Sequence, residues 1–328
     1  MVAAHAAGAT LYGHMHMSMD RYDNDTNEEG MMANNSSRFG IKGDEDLGGG
    51  LKAIYQVESG IFAADEGTSG FGNTLRNTFV GFAGSWGAVK IGRHDTAYKD
   101  LGRKLDNFNE QVGDMRNFIG NGGTYDARVS NMIRYESPNF SGLNVVVQNT
   151  SNNGSDLAGN ASNKDTSLGV NWSAGPMFLG AAWNEVGNTA SSNETTGMRL
   201  AGSYTFNNIM LGLLWETLED IGGTSGHDRD AMALAAAMTM GNNKFKFHWI
   251  DADTYSDTAN TGGDMWAIGV DHIFSKTAMV YLNYASTGND SAATFGTASA
   301  NGGHGDNLAT TVAGSDNTAF SAGYILKF

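Results

Sequence analysis

The chain contains no cysteine and only two prolines among 328 residues. The missing thiols exclude a disulfide framework, a thiolate metal site and a cysteine nucleophile. Proline cannot donate a hydrogen bond to a β-ladder and is kept out of central strands, so its scarcity leaves room for many uninterrupted strands. Glycine, in contrast, is abundant, with 45 residues.

Long hydrophobic runs are also missing. No stretch approaches the roughly 18 consecutive apolar residues that a transmembrane helix needs, and the mean hydropathy is −0.32. A membrane-spanning strand needs only about 9–11 residues, and its alternating apolar and polar side chains average to a hydropathy near that of soluble proteins. The composition therefore excludes a helical membrane protein and permits a membrane barrel.

Basic residues are in the minority, since 20 Lys and Arg stand against 35 Asp and Glu, a formal net charge of −15. Binding to duplex nucleic acid needs clustered basic side chains, so we expect no nucleic-acid partner. Residues 1–9 have no basic n-region and no apolar h-region, but Ala4-His5-Ala6 is of the type cut by signal peptidase. We expect residues 1–9 to be a residual N-terminal segment.

The first candidate strand, 10–19, alternates with a period of two over a membrane-spanning length. Its apolar set is Leu11, Met15, Met17 and Met19, and its polar set is His14, His16, Ser18 and Asp20. One face is suited to lipid and the other to water. The same period recurs at 35–43, 50–60, 75–84, 87–94, 128–137, 142–150, 166–174, 177–186, 198–206, 209–218, 229–240, 244–252, 264–274, 278–287 and 318–328.

The connections between these sixteen segments alternate strictly between short turns and long polar loops. The short turns lie at 44–49, 84–87, 138–142, 174–176, 207–208, 241–243 and 275–276. The long loops lie at 21–34, 61–74, 95–127, 151–165, 187–197, 219–228, 253–263 and 288–317. This pattern predicts an all-β fold in which 10–328 form a single 16-stranded antiparallel transmembrane β-barrel, with short periplasmic turns and long extracellular loops.

Several segments carry a family resemblance across the whole chain. They are 37–43 (SRFGIKG), 45–48 (EDLG), 76–82 (RNTFVGF), 131–138 (NMIRYESP) and the terminal Phe328. In this combination the chain resembles the Gram-negative trimeric porins, especially the neisserial-type general porins. The resemblance implies a homotrimer in the outer membrane, contacts with lipid and lipopolysaccharide, a third loop folded into the lumen, and recognition of Phe328 by the assembly machinery.

The loop at 95–127 is the one that the resemblance places inside the barrel. Asp106, Glu110 and Asp114 recur there at i, i+4 and i+8, which would put three carboxylates on one face of a short helix. The resemblance places three arginines on the opposite wall, namely Arg38, Arg76 and Arg134. We therefore expect a charged constriction between this loop and the wall.

Strand parity tests part of that expectation. It points Arg38, Lys42 and Arg134 into the lumen, because their neighbours are apolar and a lipid-facing charge would cost about 2–4 kcal/mol. Parity is less decisive for Arg76. It points Arg93 outward, so we expect Arg93 in the constriction only if it curls toward loop 95–127 from a strand end.

These residues predict a passive diffusion channel for ions and small hydrophilic solutes. A substrate-specific channel and a structural or adhesive barrel are the alternatives. An enzyme is not expected, since no G-x-S-x-G elbow occurs. The arginines favour anions and the loop carboxylates favour cations, and we expect the balance to tip toward cations.

No cofactor is expected from the remaining polar residues. His14 and His16 share the inner face and could chelate a transition metal if a third ligand faced them, although wetted wall side chains are the simpler interpretation. The acidic residues of the first loop and first turn leave loop-bound Ca²⁺ open, without the spacing of a twelve-residue calcium loop. They are Asp23, Asp25, Glu28, Glu29, Asp44, Glu45 and Asp46.

Overall fold

The computed structural model describes residues 8–61, 75–150, 164–187, 193–298, 303–305 and 312–328. The strands in this part of the chain are β1 (Thr10–Asp23), β2 (Glu28–Asn34), β3 (Arg38–Gly48), β4 (Leu51–Gly60), β5 (Thr78–Gly84), β6 (Gly87–Asp95), β7 (Arg128–Glu136), β8 (Leu143–Thr150), β9 (Thr166–Ala174), β10 (Met177–Val186), β11 (Thr195–Phe206), β12 (Ile209–Glu219), β13 (Arg229–Met240), β14 (Asn243–Ala252), β15 (Gly263–Ile273), β16 (Ala278–Asn289) and β17 (Asn317–Lys327).

In the part of the chain that the structure describes, helical structure is confined to short pieces. Two α-helices, α1 (Ala97–Gly102) and α2 (Ile119–Gly122), and a 3₁₀ helix at Met115–Asn117 lie between β6 and β7, and a second 3₁₀ helix lies at Ile221–Gly223. Among the described residues, no helix is long and apolar enough to cross a membrane.

The strands form one closed antiparallel sheet. Closure comes from β1, which pairs with β17 from His14↔Lys327 to Asp23↔Thr318. On its other side β1 pairs with β3 from Thr10 to His14 and with β2 from Met17 to Asp23. Since β2 and β3 lie one after the other along β1, the described part is a 16-stranded barrel with one strand split in two. The predicted barrel is confirmed.

The split lies at Ser36, whose φ of 54° does not fit a strand. The neighbouring Ser37 hydroxyl accepts a hydrogen bond from the His16 backbone N–H at 2.9 Å and so replaces the missing ladder partner. The predicted boundaries 35–43 and 21–34 are wrong here, because β1 continues to Asp23 and β2 begins at Glu28. The end of β1 and the start of β2 are rich in charged residues, so the apolar alternation that predicts a strand is missing there.

The first short turn is also shorter than the predicted 44–49. Residues 44–48 belong to β3, and the chain reverses at Gly49 and Gly50, whose φ values of 62° and 80° are left-handed and favour glycine. The run Asp44-Glu45-Asp46 is all charged and carries no alternation. Its strand character comes instead from pairing with β4.

The barrel wall separates large side chains from small ones. On β13, Met232 and Leu234 are exposed, and they alternate with the buried Ala231, Ala233 and Ala235. Large apolar side chains therefore point outward, toward lipid, as predicted. The inner face of this sector is not polar as expected, but small and apolar.

Loop 96–127 fills the space beside that alanine-rich inner face. Its apolar side chains are fully or almost fully buried; they include Leu101, Leu105, Phe108, Val112, Met115, Phe118 and Ile119. They pack against glycine and alanine positions of the wall, which leave room for them. A Cβ at Gly269 would come within 3.0 Å of Phe108, and one at Gly212 within 3.1 Å of Leu105. The loop is thus packed inside the barrel by its own hydrophobic core, as expected.

Candidate pore constriction

The three carboxylates of the loop do not share a helix face, which corrects the sequence-based expectation. Helix α1 ends at Gly102, and the described segment 103–114 contains no helix. Asp106 Oδ1 accepts the Phe108 N–H at 2.9 Å, and Asp114 Oδ1 accepts the Arg116 N–H at 2.8 Å. Short acidic side chains that bind nearby backbone N–H groups favour turns over helix. The three carboxylates consequently point to different places.

Glu110 is the one of the three that faces the wall arginines. Its Oε1 lies 2.8 Å from Arg38 Nη1 and 3.6 Å from Arg76 Nη2, and its Oε2 lies 3.6 Å from His14 Nε2. Burial alone would raise the pKa of the Glu110 carboxyl, but the charges of Arg38, Arg76 and Arg103 outweigh it and hold that pKa below its usual range. Glu110 is therefore a buried anion that fastens the loop tip to β1 and β3.

Asp106 and Asp114 have partners other than the predicted wall arginines. Asp114 is 1% exposed and pairs with Arg116 at 2.6 Å. Asp106 lies 3.8 Å from His248 Nδ1, on β14. Neither is paired with an arginine that the sequence assigned to the opposite wall, because the loop turns rather than continuing as a helix.

Arg134 and Lys42 both belong to the inner wall, at separate points. Arg134 Nη2 reaches Asp100 of α1 at 2.8 Å, and its Nε reaches Glu136 at 2.7 Å. Lys42 is exposed, with its ammonium 5.0 Å from the centre of the Tyr12 ring. The loop carboxylate opposite Arg134 is thus Asp100, which the sequence analysis did not name.

Arg93 does not join the constriction. Its guanidinium donates to the Leu75 carbonyl at 2.9 Å and to the Ser130 hydroxyl at 2.7 Å. Leu75 precedes β5 and Ser130 is in β7, and both lie on the side that parity assigns to the outer face. The curl toward loop 95–127 that would have brought Arg93 into the constriction is absent, because nearby polar groups bind its guanidinium.

A basic cluster at the start of the loop was missed. Asp95 forms ion pairs with three cations, Arg103 at 3.0 Å, Arg128 at 3.1 Å and Lys99 at 3.4 Å. Thr96 positions Lys99 by capping α1, since its hydroxyl accepts the Lys99 N–H at 3.2 Å. The sequence analysis weighed only the acidic residues of 95–127, and counting its basic residues would have supplied the signal.

The far end of the loop is fixed by a second missed cluster. Arg199 of β11 is fully buried, donates to Asp126 at 2.8 Å and also pairs with Glu216. Its guanidinium lies 3.9 Å from the centre of the Tyr98 ring. This cluster joins both ends of the loop to the wall opposite Glu110. No local motif marks it, because its members are far apart in sequence.

Two cavities meet at this loop. One, of about 340 Å³, opens toward the long loops and is lined by Arg76, Lys99, Arg103, Glu110, Arg116, Arg128 and neutral groups around His304. The other, of about 540 Å³, lies toward the short turns and is lined by charged Asp100, Arg103, Lys104, Arg134 and Glu136. Arg103 lines both cavities, so its side chain lies between them.

Comparison with known proteins agrees with this architecture. A family model described as Gram-negative porin matches residues 2–293. The outer membrane porin protein 32 of Delftia acidovorans is 30% identical over 275 residues, which cover 80% of this chain and 77% of the relative. The major outer membrane protein P.IB of Neisseria meningitidis serogroup B is 37% identical over 146 residues, 44% of this chain and 40% of the relative.

Solved structures share the fold at lower identity. An anion-selective porin from Comamonas acidovorans has a TM-score of 0.82 at 22% identity and covers 98% of this chain and 99% of that one. The trimer form of OmpT from Vibrio cholerae has a TM-score of 0.68 at 17% identity and covers 97% of this chain and 99% of that one. The barrel, the inward loop and the family match agree, and the chain belongs to the Gram-negative porin family as an outer-membrane channel for passive diffusion.

Proposed function

We propose that the channel prefers anions and that its narrow zone lies at Arg103. The charges around the cavity on the long-loop side carry this proposal. Six cations, Arg38, Arg76, Lys99, Arg103, Arg116 and Arg128, gather there with four carboxylates, Glu58, Asp95, Glu110 and Asp114. The excess of positive charge reverses the cation preference expected from the loop carboxylates alone.

The size of the preference follows from electrostatics in a narrow aqueous gap. A unit charge about 4 Å from a permeating ion contributes roughly 1 kcal/mol at the dielectric constant of water, and more where water is excluded. Each charge favours chloride and disfavours potassium, so an excess of two charges corresponds to a chloride-to-potassium permeability ratio of at least about ten, even where salt screens most of the interaction. The similar barrel from Comamonas acidovorans is an anion-selective porin, which supports the same direction.

The variant Arg103→Gln tests the position of the narrow zone. Because Asp95 keeps Lys99 and Arg128 as partners, the substitution removes one positive charge and leaves the carboxylate paired. We expect the chloride-to-potassium permeability ratio in planar bilayers to fall by about threefold. Lys276→Gln, an exposed lysine in a short turn, is the matched control and should leave the ratio unchanged. Equal ratios for Arg103→Gln and the control would remove Arg103 from the narrow zone.

In this scheme Arg38, Arg76 and Glu110 form the long-loop side of the constriction, and Arg134 with Asp100 forms the short-turn side. Solutes cross without catalysis, so we propose no enzymatic role. A substrate-specific site would show itself as saturable block of the current by one class of solute.

A homotrimer is proposed from the family resemblance and from the trimer form of the Vibrio relative. Chemical cross-linking in mild detergent should give a ladder that stops at three chains, and bilayer insertion should give conductance steps in triplets. A ladder that stops at one chain would contradict the trimer. Contacts with lipopolysaccharide and with the assembly machinery remain predictions of the resemblance.

Loop-bound Ca²⁺ also remains a prediction. Several of the candidate carboxylates already have partners within the protein. Glu28 pairs with Arg21, Glu29 accepts from Tyr22 at 2.8 Å, and Asp44 pairs with Lys52 at 2.9 Å. These contacts weaken the calcium interpretation.

A further inference from the structure

A second feature of the loop tip is a set of three potential metal ligands. His14 and His16 are on β1, and Glu110 is the loop residue that faces them. One ligand atom from each residue lies within 4.8 Å of the other two. The third ligand, which the two histidines alone lacked, is thus supplied by the loop that folds into the barrel.

One ring nitrogen of each histidine has unused hydrogen-bonding capacity. His14 Nε2 and His16 Nδ1 are buried and have no hydrogen-bond partner among the residues that the structure describes. His14 is 8% exposed and His16 is 1% exposed. A buried polar atom without a partner costs about 1–3 kcal/mol, so a ligand that bound to these two nitrogens would recover part of this cost.

The other side of the His16 ring is already fixed. His16 Nε2 lies 2.8 Å from the Tyr281 hydroxyl, on β16. If Nε2 donates to that hydroxyl, Nδ1 carries the lone pair and can bind an ion. Metal-binding histidines commonly have their second nitrogen fixed by a hydrogen bond of this kind.

The two carboxylate oxygens of Glu110 have different neighbours. Oε1 accepts from Arg38 at 2.8 Å, whereas Oε2 is the oxygen 3.6 Å from His14 Nε2. The arginines can therefore keep one oxygen while the other binds an ion. Their positive charge lowers affinity for a cation, so the site suits an ion that gains from nitrogen ligands rather than a hard ion held by charge alone.

We propose that His14, His16 and Glu110 form a binding site for a divalent transition ion, with Zn²⁺ as the representative. Nitrogen, nitrogen and oxygen ligands are a set that Zn²⁺ uses, and tetrahedral zinc ligands lie about 3.3 Å apart. The observed separations of up to 4.8 Å need only small side-chain movements to reach this value. An ion can reach the site because Glu110 lines the cavity of about 340 Å³ on the long-loop side. The site goes beyond diffusion, since it would tie the loop tip to the wall through a metal.

Equilibrium dialysis against Zn²⁺ tests the proposal on metal-stripped, folded protein in detergent micelles. We expect saturable binding of one Zn²⁺ per chain at sub-millimolar concentration. His16→Gln and Glu110→Gln should each weaken binding by roughly tenfold or more. His272→Gln is the matched control, because His272 lies on β15 and its Nδ1 is 2.7 Å from Asn243 instead of in the cluster.

Folding is checked separately by the heat-dependent gel shift of the barrel, and only folded samples are compared. Glu110→Gln changes a loop residue, so it provides a test even if a strand variant fails to assemble. Absence of saturable binding to the folded wild-type chain would overturn the site. Unchanged binding in folded Glu110→Gln and His16→Gln would overturn it equally.

Discussion

Arg103 and Lys99 are the two cations whose effects at the proposed narrow zone differ most clearly. Both pair with Asp95, yet Arg103 lines both cavities and Lys99 lines the cavity on the long-loop side. Arginine keeps its charge at any physiological pH, whereas a buried lysine can lose its proton. The two residues would therefore give the proposed narrow zone one permanent charge and one that depends on pH.

Alkaline pH should reduce the anion preference. Burial lowers the pKa of Lys99 to about 8, even though Asp95 acts in the opposite direction. Lys99 is charged below this pKa and neutral above it, so the positive charge of the narrow zone falls as the pH rises from 7 to 9. The chloride-to-potassium permeability ratio, measured at both values, should decrease by about twofold to fivefold.

Lys99→Gln is the control for this pH effect, since it removes the titrating group while leaving Arg103 in place. Its permeability ratio should be low at pH 7 and should hardly change up to pH 9. A wild-type ratio that stays constant across the same window would show that Lys99 does not titrate there or does not face the permeating ion.

At the scale of elements, the inward loop acts as a packed insert. Phe108 is fully buried, lies near His248 with ring centres 4.8 Å apart and fits against Gly269. Phe108→Ala should lower the free energy of unfolding by about 3–5 kcal/mol, because it empties a closely packed site. Urea unfolding in micelles measures this loss. Phe140→Ala, at a residue 58% exposed in a short turn, should change it by less than about 0.5 kcal/mol. Equal losses for the two variants would contradict the packed loop.

The seam between β1 and β17 is a second element-scale feature. Phe328 and Gly13 exchange two backbone hydrogen bonds of 2.9 and 3.0 Å, and the Phe328 ring covers Gly13. Deleting Phe328 should reduce the folded fraction in the outer membrane far more than the conductance of the channels that do insert. Phe328→Ala keeps the backbone bonds, so it should refold normally in vitro and assemble poorly in cells. Normal assembly of Phe328→Ala in cells would leave the terminal ring with a role at the seam alone.

At the scale of the whole molecule, the sequence predicts what depends on local alternation. The strand count, the closure of β1 on the last strand and the inward direction of Arg38 and Arg134 all follow from a period of two. The split near Ser36 and the charged end of β3 do not, because long-range pairing stabilises them without any apolar pattern.

The constriction was predicted only in part, for a physical reason. The carboxylate of Glu110 and the guanidinium groups of Arg38 and Arg76 meet across 34 to 72 residues of sequence, which a family resemblance can indicate. The partners of Asp106 and Asp114 depend on how the loop turns, and those turns are set by backbone hydrogen bonds and by packing on alanine-rich strands. Composition alone therefore overstates the acidity of the narrow zone.

The zero-current potential of the wild-type channel in a KCl gradient tests the central claim most directly. Reconstituted in a neutral planar bilayer, an anion-preferring channel passes chloride faster than potassium, so the dilute side should become negative relative to the concentrated side. A permeability ratio of at least about ten in favour of chloride is the predicted result. A dilute side that becomes positive would contradict the account, because the carboxylates would then outweigh the basic cluster around Arg103.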